Sequence, residues 1–306
     1  MAFEFSSTIN DNGFNKAFVE VHHDISGSSF SSGCNVRFFH LNLRNREFIR
    51  EELAEYLRKY LSRYFHSRSQ RMDLDLNGEL DYASLQANEA ILDLINDGMV
   101  LPSRELGAML VYSFLEAREK APKIMSCVEI EAGNYQRRKS RTDGMHLTKD
   151  GMVLLATSRI DSDLYSAVDE AVSRLGEIKK NTSTEIKIIK ADIRNLMRGI
   201  DLETLESVIF PKDGVAASYT TGYGVFVGYN IGLEKGRNPE RNYLETVEAK
   251  MRDGIIDCSG RIIKGLRENG FTGEEKIYFY FLPFDNVDED VDAVFRDVIR
   301  GQYGRD

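Results

Sequence analysis

The stretch TDGMHLTKDGMVLLATSRI, Thr142 to Ile160, decides the fold of this chain. Two β-prone runs, GMHLT and MVLLATSR, flank Lys149, Asp150 and Gly151, and an Asp-Gly pair between such runs is a short-range hairpin signal. A three-residue connection sets Thr148 opposite Met152 and, counting outward, Asp143 opposite Thr157. A two-residue connection moves the partner of Asp143 to Ser158. In both registers the start of one strand lies beside the end of the other. The strand ends that carry Asp143 and Thr157, Ser158 and Arg159 therefore lie together.

Upstream of the hairpin, IMSCVEIE from Ile124 reads as a strand. Before it, Pro102 and Ser103 open a helix whose Leu106, Met109, Leu110, Ser113, Phe114 and Ala117 mark one face as far as a break near Pro122. Downstream, Asp161 or Ser162 caps a helix in which Leu164, Ala167, Val168, Ala171, Val172 and Leu175 recur at amphipathic spacing. A mixed segment around EIKIIKADI follows, then a short helix near Leu202 to Val208 and a strand from Gly224 to Ile231. A long helix between Asn242 and Glu268, the aromatic strand KIYFYFL and a last helix after Asp288 complete the chain.

The N-terminal part reads as strands near Ala17 to His22 and Val36 to Leu41. Asn45 is then expected to cap a helix with the stripe Ile49, Leu53, Tyr56, Leu57, Tyr60, Leu61 and Tyr64. A polar loop, SRSQRMDLDLNGELD, separates it from a helix spanning Tyr82 to Asp97 and stopped at Gly98. These elements divide into N-terminal strands and helices over residues 1–100 and an α/β unit over 101–306, or run on as one continuous domain.

Composition narrows the function. A 42% hydrophobic content over 306 residues supports a substantial core. No run approaches the roughly 20 apolar residues of a membrane span, and the first residues lack a secretory pattern. A cytoplasmic protein is expected. Cys34, Cys127 and Cys258 are odd in number and far apart, which argues for reduced, semi-buried thiols. With a net charge of −9 and a pI near 5.3, contact with nucleic acid must be local.

A helix feeding three strands, then a crossover helix and a further strand, is the layout of a restriction-endonuclease-like α/β core, a central mixed sheet flanked by helices. That chemistry needs carboxylates from the second and third strands to converge on Mg²⁺, with a lysine beside the activated water. Asp143 begins the second strand. The expected Glu-x-Lys falls on Thr157, Ser158 and Arg159.

At these residues the chain resembles a known family. ELGAMLVYSFLE, TDGMHL and LLATSRIDSDLYSAVDEAVSRL are similar to the HamA family of Hachiman antiphage systems, over Leu101 to Leu175. The resemblance implies a nuclease subunit that acts on DNA with a superfamily 2 helicase in bacterial defence. Asp143 and His146 match the family's Asp-Gly-x-His element, whereas Thr157 and Arg159 stand where it has Glu and Lys. Threonine is a weak neutral ligand for Mg²⁺, and arginine holds phosphate but cannot act as a base near neutral pH. The implied hydrolysis is therefore weakened or lost.

Several side chains carry two readings each. Glu105 either adds a second carboxylate to a metal site with Asp143 or complements its helix dipole. Three residues beyond Asp143, His146 falls on the opposite strand face, which favours a core histidine. Asp161 and Asp163 suit helix capping. Arg137, Arg138, Lys139 and Arg141 form either a phosphate-contacting patch or a solvated loop.

Asp73, Asp75 and Asn77 approach a calcium loop, although Ser84 occupies the closing glutamate position. Gly222, Gly224 and Gly228 have the wrong spacing for a phosphate loop and are expected at close backbone packing. The leading expectation is a HamA-like subunit engaging DNA with a helicase. An active Mg²⁺-dependent DNase using Glu105 and Asp143 and a calcium-responsive adaptor are the alternatives.

Overall fold

A computed structural model of the chain describes residues 6–22, 33–98, 101–126, 141–211, 219–233 and 240–300. Helix α1 (Asp11–Ala17) runs into strand β1 (Phe18–Val21), and β2 (Cys34–Leu41) leads to a small hairpin of β3 (Leu43–Arg44) and β4 (Glu47–Phe48). Helices α2 (Arg50–Phe65), α3 (Arg68–Leu76), α4 (Ala83–Asn96) and α5 (Pro102–Arg118) follow. Strands β5 (Lys123–Ser126), β6 (Gly144–Leu147) and β7 (Met152–Ile160) precede α6 (Leu164–Lys180), α7 (Thr182–Leu196) and α8 (Gly199–Ile209). The chain then alternates β8 (Thr220–Asn230), α9 (Glu240–Glu268), β9 (Ile277–Phe284) and α10 (Val287–Arg300).

Seven strands form one mixed sheet in the order β1-β2-β9-β8-β7-β6-β5. The antiparallel meander β5, β6, β7 makes one edge, β7 to β2 run parallel, and β1 closes the other edge antiparallel. Buried on both faces, β7 and β8 read as near-continuous apolar runs, as parallel strands covered by helices do. Because β2 pairs with β9, residues before and after position 100 build the same sheet.

Helix α5 lies across β6, β7 and β8, with α2 and α10 beside it; α6 packs on β7 and β8, with α9 outside it. Close approach fixes these layers. A Cβ on Gly107 of α5 would stand 2.6 Å from Ser158 Oγ on β7, and one on Gly224 of β8 would stand 2.8 Å from both Leu115 methyls. Ser158 and Ile160 thus face α5, while Arg159 reaches Glu170 on α6, so the two helices cover opposite sides of β7.

The structure departs from the sequence reading in three helical places. Asn45 and Arg46, with φ of 54° and 66°, turn the β3–β4 hairpin, and α2 starts after Ile49 with no side-chain cap. The polar segment from Ser67 is mostly helix α3, because Ser67 and Gln70 form a reciprocal capping box. EIKIIKADI lies within α7, where Ile186, Ile189 and Ile193 are buried.

The calcium-loop expectation is overturned by α3. Asp73 and Asp75 are helical, Asp73 pairs with Arg198, and Asn77 is the C-cap. A calcium loop needs these carboxylates on a turn that wraps the ion. Cys34 and Cys258 are free thiols whose pKa values burial pushes up to about 12; Cys127 lies outside the described residues. Among the described residues no helix is long and apolar enough to cross a membrane.

Candidate functional site at the β6–β7 strand ends

The hairpin takes the three-residue form. Thr148 donates its amide to the Met152 carbonyl at 2.9 Å, and Gly144 pairs with Ala156, which sets Asp143 opposite Thr157. The ladder closes where the Asp143 amide donates to the Ala156 carbonyl at 2.8 Å. Beyond that point Ser158 N–H on β7 is capped by a side chain. Asp143 Oδ2 accepts from Ser158 N at 2.6 Å and from Ser158 Oγ at 2.8 Å. A buried carboxylate thus satisfies the amide that the shorter neighbouring strand leaves exposed.

The other oxygen, Asp143 Oδ1, faces two guanidinium groups. Arg174 Nη2 from α6 is 3.5 Å away and Arg104 Nε from α5 is 3.9 Å away, and Oδ1 itself makes no hydrogen bond among the described residues. Asp143 is 2% exposed at the base of a cleft of about 310 Å³ between α5 and α6. Arg104, Ser158, Arg159, Glu170 and Arg174 form part of its wall. Gly107 is required here, since any side chain would displace the Ser158 hydroxyl that holds Asp143.

The remaining expected residues divide. Thr157 is fully buried on the α6 side of β7, and its hydroxyl has no partner among the described residues. Arg159 is half-exposed and pairs with Glu170 at 2.5 Å. Glu105 is 2% exposed and is not part of the cleft wall, which takes its neighbour Arg104 instead. Arg141 donates its backbone amide to Glu185 Oε1 at 3.0 Å; Arg137, Arg138 and Lys139 lie outside the described residues.

His146 is a core residue, fully buried, with Nδ1 2.8 Å from the Ala121 carbonyl. Burial lowers its pKa to about 4, against smaller upward pulls from Glu116 and the Ala121 carbonyl. Asp163 caps α6 by accepting from Ser166 N at 2.8 Å, and Asp161 accepts from Asp163 N at 3.0 Å. Gly222, Gly224 and Gly228 sit in β8 against side chains of neighbouring elements, with no phosphate-loop turn.

Three contributors escaped the sequence reading. Arg104 and Arg174 meet Asp143 only through the packing of two helices against a sheet edge, and no local pattern marks them. Glu185 of α7 is 1% exposed and anchors Arg141 and Thr142 just before β6. A lone acid beside buried isoleucines at helical spacing was the available signal.

No curated protein matches the chain. A family model, HamA, matches residues 12–298, which takes in the sheet, both helical layers and the Asp143 cleft. With nearly its whole length matched, and with a family role in antiphage defence, the chain belongs to the HamA family.

Proposed function

We propose that this HamA-family protein is a DNA-engaging subunit that works with a superfamily 2 helicase, and that Mg²⁺-dependent hydrolysis at its strand-end site is weakened or lost. One observation carries the reading: two guanidinium groups flank the Asp143 carboxylate, and Thr157 stands where the family places glutamate. The described residues do not fit a magnesium ion. A hard dication needs several oxygen ligands with carboxylate charge, whereas here one carboxylate oxygen is committed to Ser158 and the other faces arginines. Among the described residues no cluster of three acids, histidines or cysteines has metal-holding geometry.

What the cleft offers instead is phosphate recognition. Arg104 and Arg174 present planar donors at its rim, about one-third exposed, and Arg159 stands beside them. In the rival reading Asp143 and Glu105 hold Mg²⁺ and the protein cuts DNA. The unbonded Asp143 Oδ1 favours that alternative.

A plasmid assay separates the two. Supercoiled DNA is incubated with Mg²⁺ and the purified protein, with and without its helicase, using wild type and Asp143→Asn. Nicking at or near background is expected from both. Metal-dependent cleavage by wild type that Asp143→Asn abolishes overturns the proposal in favour of the rival. In parallel, duplex binding by Arg174→Gln is expected to weaken uniformly across sequences, with the salt slope falling by about 1.

A further inference from the structure

Helix α7 carries a row of cations on its outer side. Lys187, Lys190 and Arg194 stand at i, i+3 and i+7, so they lie along one side of the helix over about 10 Å at helical rise. All three are exposed. The other side is core: Ile186, Ile189 and Ile193 are buried, and α7 packs on α3 and β5. The row therefore sits on a packed element and not on a loop.

Among the described residues none of the three makes an ion pair. Lys190 lies 5.5 Å over the Phe210 ring, a contact that leaves its charge in place. The described residues exposed on α7 include no acid. Glu185, in its first turn, is buried and accepts from the Arg141 amide at 3.0 Å and the Thr142 hydroxyl at 3.4 Å. On the following helix Asp201 pairs with Arg68, and Glu203 and Glu206 are within ion-pair distance of none of the three. Arg198, just beyond α7, is the contrasting case, since it pairs with Asp73.

The row starts beside the Asp143 site. Glu185 precedes Lys187 by two residues, and through its bonds to Arg141 and Thr142 it fixes the chain immediately before Asp143. Helix α7 also follows directly on α6, whose Arg174 reaches Asp143. A nucleic-acid strand held in the cleft at Arg174 thus has a second set of positive charges close by. In a chain of net charge −9, such a local excess is where a polyanion is drawn.

The surroundings of the row select the partner. A duplex carries one negative charge per ~1.7 Å of its axis, so a row of this length faces several phosphates at once. An anionic membrane would need apolar side chains to insert, and a protein partner a large apolar or aromatic anchor. Helix α7 has no exposed large hydrophobic residue among those described. We propose that Lys187, Lys190 and Arg194 contact the phosphate backbone of DNA flanking the segment at the Asp143 cleft, without reading its sequence. The proposal extends the DNA-engaging function proposed for that cleft and rests on it.

Fluorescence anisotropy of a labelled duplex with the full chain tests it, using wild type, Arg174→Gln and a triple variant, Lys187→Gln with Lys190→Gln and Arg194→Gln. Glutamine keeps helix propensity and the three side chains are exposed, so the melting temperature of the triple variant is expected to stay close to wild type. At ~100 mM salt its duplex affinity is expected to fall at least ~10-fold, with the salt slope lower by about 3, equally for unrelated sequences. Lys187→Arg with Lys190→Arg keeps the charge and is expected to bind as wild type.

Unchanged affinity and salt slope in the triple variant, while Arg174→Gln weakens binding, overturns the row and leaves the cleft's role standing. The converse result supports the row and removes the cleft from DNA binding. Absence of any salt-dependent duplex binding by wild type removes both. If the triple variant does not fold, Lys187→Gln and Arg194→Gln are each expected to lower the salt slope by about 1, and an unchanged slope in both overturns the proposal. Vesicles of anionic lipid serve as a second polyanion: binding to them that the row variants lose, with none to duplex, assigns the surface to a membrane and overturns the proposal.

Discussion

Replacing Glu116 by alanine is expected to cost about 3–5 kcal/mol of folding stability, a large part of what a domain of this kind has. The side chain is fully buried near the end of α5, and five donors converge on its two oxygens from Ser7, Thr8, Ile9 and Lys123. Ser7 Oγ also lies 3.0 Å from the Glu116 carbonyl. One carboxylate thus ties the N-terminal segment to α5 and to the first strand of the meander. Its removal strands several buried donors at once, and each unsatisfied group costs more than a formed bond gains.

Glutamine at 116 is expected to lose roughly half as much. Its carbonyl can still accept, but its NH₂ group must face donors on one side. Urea unfolding of wild type, Glu116→Ala and Glu116→Gln measures both costs. A loss below about 1 kcal/mol for Glu116→Ala would show that the N-terminal segment is not held this way.

Acid should weaken the fold in a window set by His146. Its pKa falls from the unfolded value of about 6.5 to about 4 because burial disfavours the imidazolium. The Nδ1–H donates to the Ala121 carbonyl, which fixes the neutral tautomer. Between these two pKa values the unfolded chain binds a proton that the folded chain does not, so stability falls as pH drops. It is full above about pH 6.5, and by about pH 4 the loss from this group is about 3 kcal/mol.

Burial lowers His40 and His66 in the same direction and adds to the slope. Glu275 acts lower down. Although burial raises its pKa, the Lys179 ammonium and donors from Thr272 hold it at about 2, so its contribution is lost only as pH falls from about 4.5 through 2. Stability measured at pH 7.5 and pH 5 in wild type and His146→Gln checks the assignment. A flat profile for wild type, or an unchanged slope in His146→Gln, would contradict it.

Local signals carried much of the core and little of the site. The Asp-Gly pair in the β6–β7 connection marked the hairpin and narrowed its register to two, of which the three-residue form is the one observed, because hairpin geometry depends on a few adjacent residues. The α6 stripe was legible for the same reason: Ala167, Val168, Ala171, Val172 and Leu175 are buried as their spacing requires. Helices α3 and α7 were not, since their charges interrupt the apolar period and their packing against each other is a tertiary fact.

Glu116 illustrates the limit in another way. Every residue from Glu105 to Ala117 is buried, so α5 is a core helix all round and not the one-faced helix its stripe suggested. A carboxylate within such a helix was a signal for a buried anchor. The arginines around Asp143 left no such mark, because they converge only once α5, α6 and the sheet edge are assembled.

In the proposed function Asp143 serves a hydrogen-bonded, arginine-flanked site in place of a metal centre. Titrating the protein with Mn²⁺ as a stand-in for Mg²⁺, and following water-proton relaxation in wild type and Asp143→Asn, tests it most directly. Weak binding, the same in both, is expected. One tightly bound Mn²⁺ per chain in wild type, lost in Asp143→Asn, would contradict it.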